Sequence, residues 1–160
     1  MNNHALSPAE HFVERMGVSA EEEGLPRICG RLMGLILLEG GPFSFEELAE
    51  RLQVSRSSVS TNARILESRG IIERAGLPGD RHTYYRVAGD PYHGMISALL
   101  RRKRQAKRII EETLDQLGSE EAERRARLEA LHRFHELVVS TLEEMMERWK
   151  SESAAAGTAG

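Results

Sequence analysis

Arg56, Ser57, Ser60, Thr61 and Arg64 crowd one short run of the chain, and Arg81 follows in a glycine-containing turn. Small hydroxyl side chains on a helix allow close approach to base edges. An arginine among them can form a bidentate contact with guanine, and an arginine on a tight turn can enter a narrow minor groove. Ser57, Ser58 and Ser60 have no base near them in sequence. The chain has no phosphate-binding glycine loop, nucleophile elbow or paired carboxylates in a pocket-forming pattern. The chemistry legible here is recognition. No catalytic residue, metal ligand or cofactor is expected, and the chain does not read as an enzyme.

The flanking sequence supplies the elements that must position this set. Ser44 and Glu47 have capping-box spacing, so a helix starts there, with Leu48, Ala49 and Leu52 as its apolar face. Gln53-Val54 makes a turn, and Ser55 is a good N-cap for a second helix. Val59, Ala63 and Leu66 share one side of that helix and should pack inward, leaving the hydroxyls and arginines outward. Gly70 stops it where positive φ is wanted. A hairpin follows, Ile71 to Ala75 and Arg81 to Val87, around a turn at Leu77-Pro78-Gly79-Asp80. Helix, turn, helix and hairpin in this order make a winged helix. Its second helix fits the major groove, and its hairpin reaches the backbone or the minor groove. Arg56 and Arg81 are expected on phosphate or in the minor groove, and Ser57, Ser60, Thr61 and Arg64 on base edges. The net charge of −3 counts mildly against nucleic acid, but distribution matters more than the sum. From Ser55 to Val87, Arg56, Arg64, Arg69, Arg74, Arg81 and Arg86 face only Glu67, Glu73 and Asp80.

The stretch "ELAERLQVSRSSVSTNARILESRG" and the wing "GDRHTYYRV" resemble bacterial winged-helix regulators of the MarR superfamily, and most of all its GbsR branch. The resemblance runs from about Phe12 to Val87 and more loosely beyond. It implies a homodimer, a recognition helix over Ser55–Arg69 and a wing arginine at Arg81. The usual wing has an aspartate two residues before the arginine, joined to it by a salt bridge. Here Asp80 and Arg81 are adjacent.

At 160 residues, with 29% charged and 5% aromatic, the chain can bury one sound core with a helical appendage. Ser7-Pro8-x-Glu10 should cap a first helix that Gly17 ends. Pro26 starts a second, whose apolar residues span nearly every side, with Gly30 and Gly34 four apart for close approach. After the wing, Pro91 restarts a helix to Leu117 with Ile96, Leu99, Ile110 and Leu117 at coiled-coil spacing. Beyond Gly118-Ser119, a last helix carries Leu131, Phe134, Val138, Leu142, Met145 and Trp149. Two long amphipathic helices need a partner surface, so these two stripes are expected to form the dimer interface. The reading is a mainly α chain with a small β-hairpin. A winged helix-turn-helix domain (7–88) is followed by long C-terminal dimerisation helices (90–150) and a disordered tail (151–160).

The lysine- and arginine-rich run from Arg101 to Arg108 could grip phosphate, but it reads better as a solvated face paired with Glu111, Glu112 and the acidic last helix. His132 and His135 have a spacing that can serve a metal, but no further ligand is predictable. Cys29 is alone, so no intrachain disulfide forms. Without a basic, then apolar, leader or a spanning segment, the protein is expected in the cytoplasm and off the membrane. The function expected is sequence-specific transcriptional regulation, most plausibly repression, with a double-stranded operator and a second copy as partners. A small effector, if one exists, would bind where the dimer helices meet the winged domain. The rival reading is a winged helix that docks proteins and binds no DNA.

Overall fold

A computed structural model describes residues 6–80 and 82–157. The chain divides into two compact units, Met1–Gly94 and Met95–Gly160.

In the first unit, α1 (Pro8–Glu22) opens with a complete capping box. Ser7 Oγ accepts the Glu10 N–H, and the Glu10 carboxylate accepts the Ser7 N–H at 2.8 Å. The helix does not end at Gly17 as expected but runs through it. A Cβ on Gly17 would lie 2.8 Å from Cγ of Arg31. The missing side chain therefore makes room for α2 (Arg27–Glu39) instead of stopping α1. Gly34 plays a similar part, since a Cβ there would meet the Met16 side chain at 3.2 Å. The four-residue glycine spacing on α2 thus lies against α1.

Next come β1 (Phe43–Ser44), α3 (Phe45–Leu52), α4 (Arg56–Ser68), β2 (Ile72–Ala75) and β3 (Tyr84–Val87). The wing strands are shorter than the expected Ile71–Ala75 and Arg81–Val87, and β1 joins them as a third strand. The antiparallel order is β1-β3-β2, with Phe43 opposite Tyr85 and Arg74 opposite Tyr85 on the other side. Gly41 makes the extra pairing accessible. Its φ is +85°, and a Cβ would sit 2.7 Å from the Tyr85 carbonyl, so a side chain there would push β1 off the sheet.

One core joins these elements: Leu32, Leu35, Ile36 and Cys29 of α2, Leu48 and Leu52 of α3, Val59, Ala63 and Leu66 of α4, then Ile71, Ile72 and Tyr85. The Tyr85 ring meets Phe45 edge-on at 5.2 Å. Burial pushes the Cys29 thiol pKa up, with Arg69 opposing. Cys29 behaves as a small apolar core residue.

The second unit holds α5 (Pro91–Gln116), which begins in the first, a 3-10 turn at Ser119–Glu121, and α6 (Ala122–Gly157). Arg125 donates to the carbonyls of Leu114 (3.1 Å) and Leu117 (2.8 Å), which closes the C-terminal end of α5. Ile96, Leu100, Val139 and Leu142 form a small core, with Leu99, Val138, Met146 and Trp149 packed on it. Ile96, Leu99, Val138, Leu142 and Trp149 were expected on a second chain. Within one chain they pack between α5 and α6, where the turn at Gly118 returns one stripe onto the other. Ile110 is also buried and Leu117 half-buried, whereas Leu131, Phe134 and Met145 stay exposed. The tail expected to be disordered from Ser151 continues α6 to Gly157. Three consecutive alanines, the residue of highest helix propensity, extend it, and Ser151 Oγ donates to the Glu147 carbonyl. Residues 158–160 lie outside the described set.

Candidate nucleic-acid interface

Local capping chemistry sets the two helices of the reading unit. Glu47 and Ser44 exchange hydrogen bonds at the start of α3, and these bonds hold the Glu47 carboxyl pKa below its usual range. Gln53 takes a left-handed conformation (φ 54°) after α3. Ser55 Oγ then accepts the Ser58 N–H at 3.2 Å to start α4. No acidic residue stands in the first turn of α4. Its free N–H groups and partial positive charge are therefore open to an anion such as phosphate.

Val59, Asn62, Ala63 and Leu66 are the buried residues of α4. Arg56, Ser57, Thr61 and Arg64 are exposed and Ser60 is half-buried. The five helix residues expected to face DNA thus share the outer side of α4. Arg81 lies outside the described residues.

The positive field is thinner than the arginine count suggests. Arg56 pairs with Glu46 of α3 at 2.8 Å, Arg74 with Glu67 at 2.9 Å, and Arg86 with Glu73 across the wing at 2.6 Å. Among the described residues from 55 to 87, Arg64 and Arg69 are the arginines without an ion pair, and of these two Arg64 is exposed and Arg69 half-buried. The Arg56–Glu46 pair is 65% exposed on both sides. Such pairs contribute at most about 1 kcal/mol, so Arg56 can exchange its carboxylate for a phosphate at little cost.

At the wing, Leu77 to Asp80 form a tight turn with Pro78 second and Gly79 third (φ +82°), closed by Asp80 N–H to the Leu77 carbonyl. The Asp80 carboxylate accepts the His82 backbone N–H at 2.9 Å and the Tyr84 hydroxyl at 2.6 Å, and it contacts His82 Nδ1. These bonds, that of Tyr84 foremost, hold the Asp80 carboxyl pKa far below the usual range. The same bond raises the Tyr84 phenol pKa, with smaller contributions from burial and from Asp80, Glu47 and Glu46.

Sequence reading did not find Glu46 as the partner of Arg56, nor Asp80, His82 and Tyr84 as a cluster. It also missed Asn62, which is 5% exposed. The Asn62 amide donates to the Ser58 carbonyl at 2.8 Å, and its Oδ1 has no partner among the described residues. The spacing of Asn62 four residues after Ser58 was the available signal, since a side-chain amide on a helix bonds the carbonyl one turn back. In the second unit, Arg104 and Lys107 pair with Glu143 and Glu136, and His132 with Glu111 at 2.9 Å. These groups are occupied between α5 and α6.

The architecture is that of a winged helix-turn-helix protein whose recognition helix presents a hydroxyl- and arginine-bearing face. Residues 23–81 match the model of the MarR family. Over 118 residues the chain is 36% identical to the HTH-type transcriptional regulator MmpR5 of Mycobacterium tuberculosis, spanning 73% of this chain and 72% of that one. It is 30% identical over 88 residues to the HTH-type transcriptional repressor OpcR of Bacillus subtilis, covering 55% of this chain and 48% of that one. The crystal structure of a transcriptional regulator, 30% identical, superposes with a TM-score of 0.83 over 91% of this chain and 99% of that one. The chain belongs to the MarR family and is a DNA-binding transcriptional regulator. No helix among the described residues is long and apolar enough to cross a membrane.

Proposed function

We propose that the chain is a dimeric repressor of the GbsR-like branch, acting in the cytoplasm on a two-fold operator. The observation that carries this reading is the outer face of α4, where Ser57, Thr61 and Arg64 stand exposed opposite the buried Val59, Ala63 and Leu66. Ser57, Ser60, Thr61 and Arg64 read base edges. Arg56 and Arg81 meet phosphate or the minor groove. The repressor name of the OpcR relative supports the direction of control, and the stretch from Glu47 to Gly70 supports the branch. The reading leaves catalysis out, as the transcription-regulator names of the relatives favour.

Residues 7–88 serve as the DNA-binding part and 90–150 as the dimerisation part. The second copy is seated by what the α5–α6 pairing leaves uncovered, namely Leu131, Phe134 and Met145 with Ile109 and Leu137, all more than two-fifths exposed. Apolar surface of this extent on a helix pair calls for a partner. Two-fold symmetry then sets the recognition helices about one turn of DNA apart, or a multiple of it.

The test is competition binding with a duplex selected by this protein from a random-sequence pool. Arg64→Ala should cost about 1–3 kcal/mol on the selected duplex and much less on a scrambled one. Equal loss on both would reduce Arg64 to a phosphate contact and remove the base-reading assignment.

A further inference from the structure

We infer that Arg31 is a positioning residue for base reading. Its guanidinium, held by Glu14 of α1, grips the last carbonyl of α3 and fixes the turn from which α4 leaves. This rests on the reading of α4 as the helix that meets bases.

Arg31 stands on α2 with a half-buried side chain, and two of its nitrogens serve two other helices. Nε donates to the Glu14 carboxylate of α1 at 2.7 Å, and a terminal nitrogen donates to the Leu52 carbonyl at 3.0 Å. Helix α1 is shaped around this side chain. Gly17, one turn after Glu14, lacks a Cβ that would come within 2.8 Å of the Arg31 stem and 3.0 Å of the Arg27 stem. Arg27, one turn before Arg31 on α2, donates to the other Glu14 oxygen at 3.2 Å. The Glu14 carboxylate is therefore held on both oxygens, and it holds Arg31 in turn.

The carbonyl that Arg31 reaches lies at the elbow of the reading unit. Helix α3 ends at Leu52, and the left-handed Gln53 turns the chain toward Ser55, the N-cap of α4. The Gln53 and Val54 N–H groups close this turn on the Glu50 and Ala49 carbonyls. Neither uses the Leu52 carbonyl, which takes Arg31 instead. A carbonyl at a helix C-terminus has no partner within the helix and favours a cation. Otherwise α3 meets α2 through the shared core, where Leu48 and Leu52 join Leu32 and Ile36. Apolar burial is non-directional and permits a small roll of one helix on another. A planar guanidinium bound at two points does not permit it. Arg31 thus sets the direction in which α3 ends, and α4 starts just beyond. Glu14 and Leu52 belong neither to the outer face of α4 nor to the wing. The effect on DNA binding therefore comes through shape, without a charge on phosphate.

The full-length protein and the variants Arg31→Met, Arg31→Lys, Glu14→Ala, the Arg31→Met/Glu14→Ala double and Arg64→Ala are titrated at matched folded fraction. Each meets a duplex selected from a random-sequence pool and a scrambled one, at several salt concentrations. Arg31→Met should weaken the selected duplex about tenfold, the equivalent of one base contact. Nonspecific binding rests on phosphate, so the scrambled duplex should lose less than about twofold and the salt slope should hold. Glu14→Ala should weaken the selected duplex about threefold, and the double variant no more than Arg31→Met, since both break one unit. Lysine brings a point charge without the fork, so Arg31→Lys should stay at least about threefold weaker than the unaltered protein. In the free protein, the Leu52 carbonyl carbon resonance should move in Arg31→Met and hold in Arg64→Ala. If Arg31→Met fails to fold, Arg31→Lys and Glu14→Ala carry the same comparison. Equal losses on both duplexes, a lower salt slope, full recovery by lysine or additive losses in the double variant overturn the inference. Should Arg64→Ala lose selective binding while Arg31→Met keeps it, the Arg31 inference fails alone. Should Arg64→Ala lose equally on both duplexes, the base-reading assignment of α4 fails first, and Arg31 has nothing to position.

Discussion

The two units of this chain solve the burial problem differently. In the first, helices α2, α3 and α4 and the sheet enclose one core in which Leu32, Ile36, Leu48, Val59, Leu66, Ile72 and Tyr85 are all under 3% exposed. In the second, two far longer helices bury only Ile96, Leu100, Val139 and Leu142 as a cluster and leave Phe134 at 56% and Leu137 at 65% exposed. A helix pair has one mutual face. Apolar residues beyond that face stay in water unless another surface meets them. The winged unit closes around its own core, whereas the helical unit keeps much of its apolar stripe exposed.

Truncations in the two units should therefore report on different equilibria. Leu66→Ala, at 1% exposure, should cost about 2–5 kcal/mol of folding stability in urea unfolding followed by circular dichroism. The dimer should be affected only as far as unfolding drains it. A loss below about 1 kcal/mol would mean that the winged core is looser than its burial indicates. The converse substitution is Phe134→Glu with Leu137→Glu. It should weaken self-association at least about 30-fold and leave the circular dichroism of the winged unit unchanged. Sedimentation showing the same dimer would break the comparison, since the exposed stripe would then need no partner.

Smaller effects sharpen the contrast. Arg56→Ala should change folding stability by less than about 1 kcal/mol, because its pair with Glu46 is solvent-screened. The same variant should lower the salt slope of DNA binding by about one counterion. An unchanged slope would leave Arg56 with Glu46 in the complex as well.

The smallest effect concerns pH. The Asp80 carboxyl pKa is held down in the folded protein, first by the Tyr84 hydroxyl and then by the His82 N–H and ring. A depressed carboxyl contributes stability that is present above its unfolded pKa and lost as pH falls through the folded one. That loss lies below the ordinary aspartate value of about 4. The Tyr84 hydroxyl contact with Asp80, followed by NMR, should therefore persist from neutral pH to about pH 4. Loss of this contact well above pH 4 would show that the Tyr84–Asp80 hydrogen bond does not hold in solution.

Much of the reading unit was legible because its signals are local. Ser44 with Glu47, Ser55, and Gly70 at φ +72° set helix ends through bonds or backbone angles within a few residues. The periodicity of Val59, Ala63 and Leu66 then determined which side of α4 faces out. Gly17 was misread because a helical glycine can mark an end or a crossing, and only the position of Arg31 distinguishes the two. The strand β1 was missed because its partner Tyr85 lies far along the chain.

The sequence by itself determined the order of elements, the outward residues of the recognition helix and the amphipathic character of the last two helices. Each follows from contacts within one or two helical turns. Only the tertiary structure decided which arginines are already paired, through Glu46, Glu67 and Glu73. It also decided which half of the C-terminal stripes α5 and α6 use up between them, leaving Leu131, Phe134 and Met145 uncovered. Charge pairing and stripe occupancy depend on distances between elements, and spacing along a chain does not contain those distances.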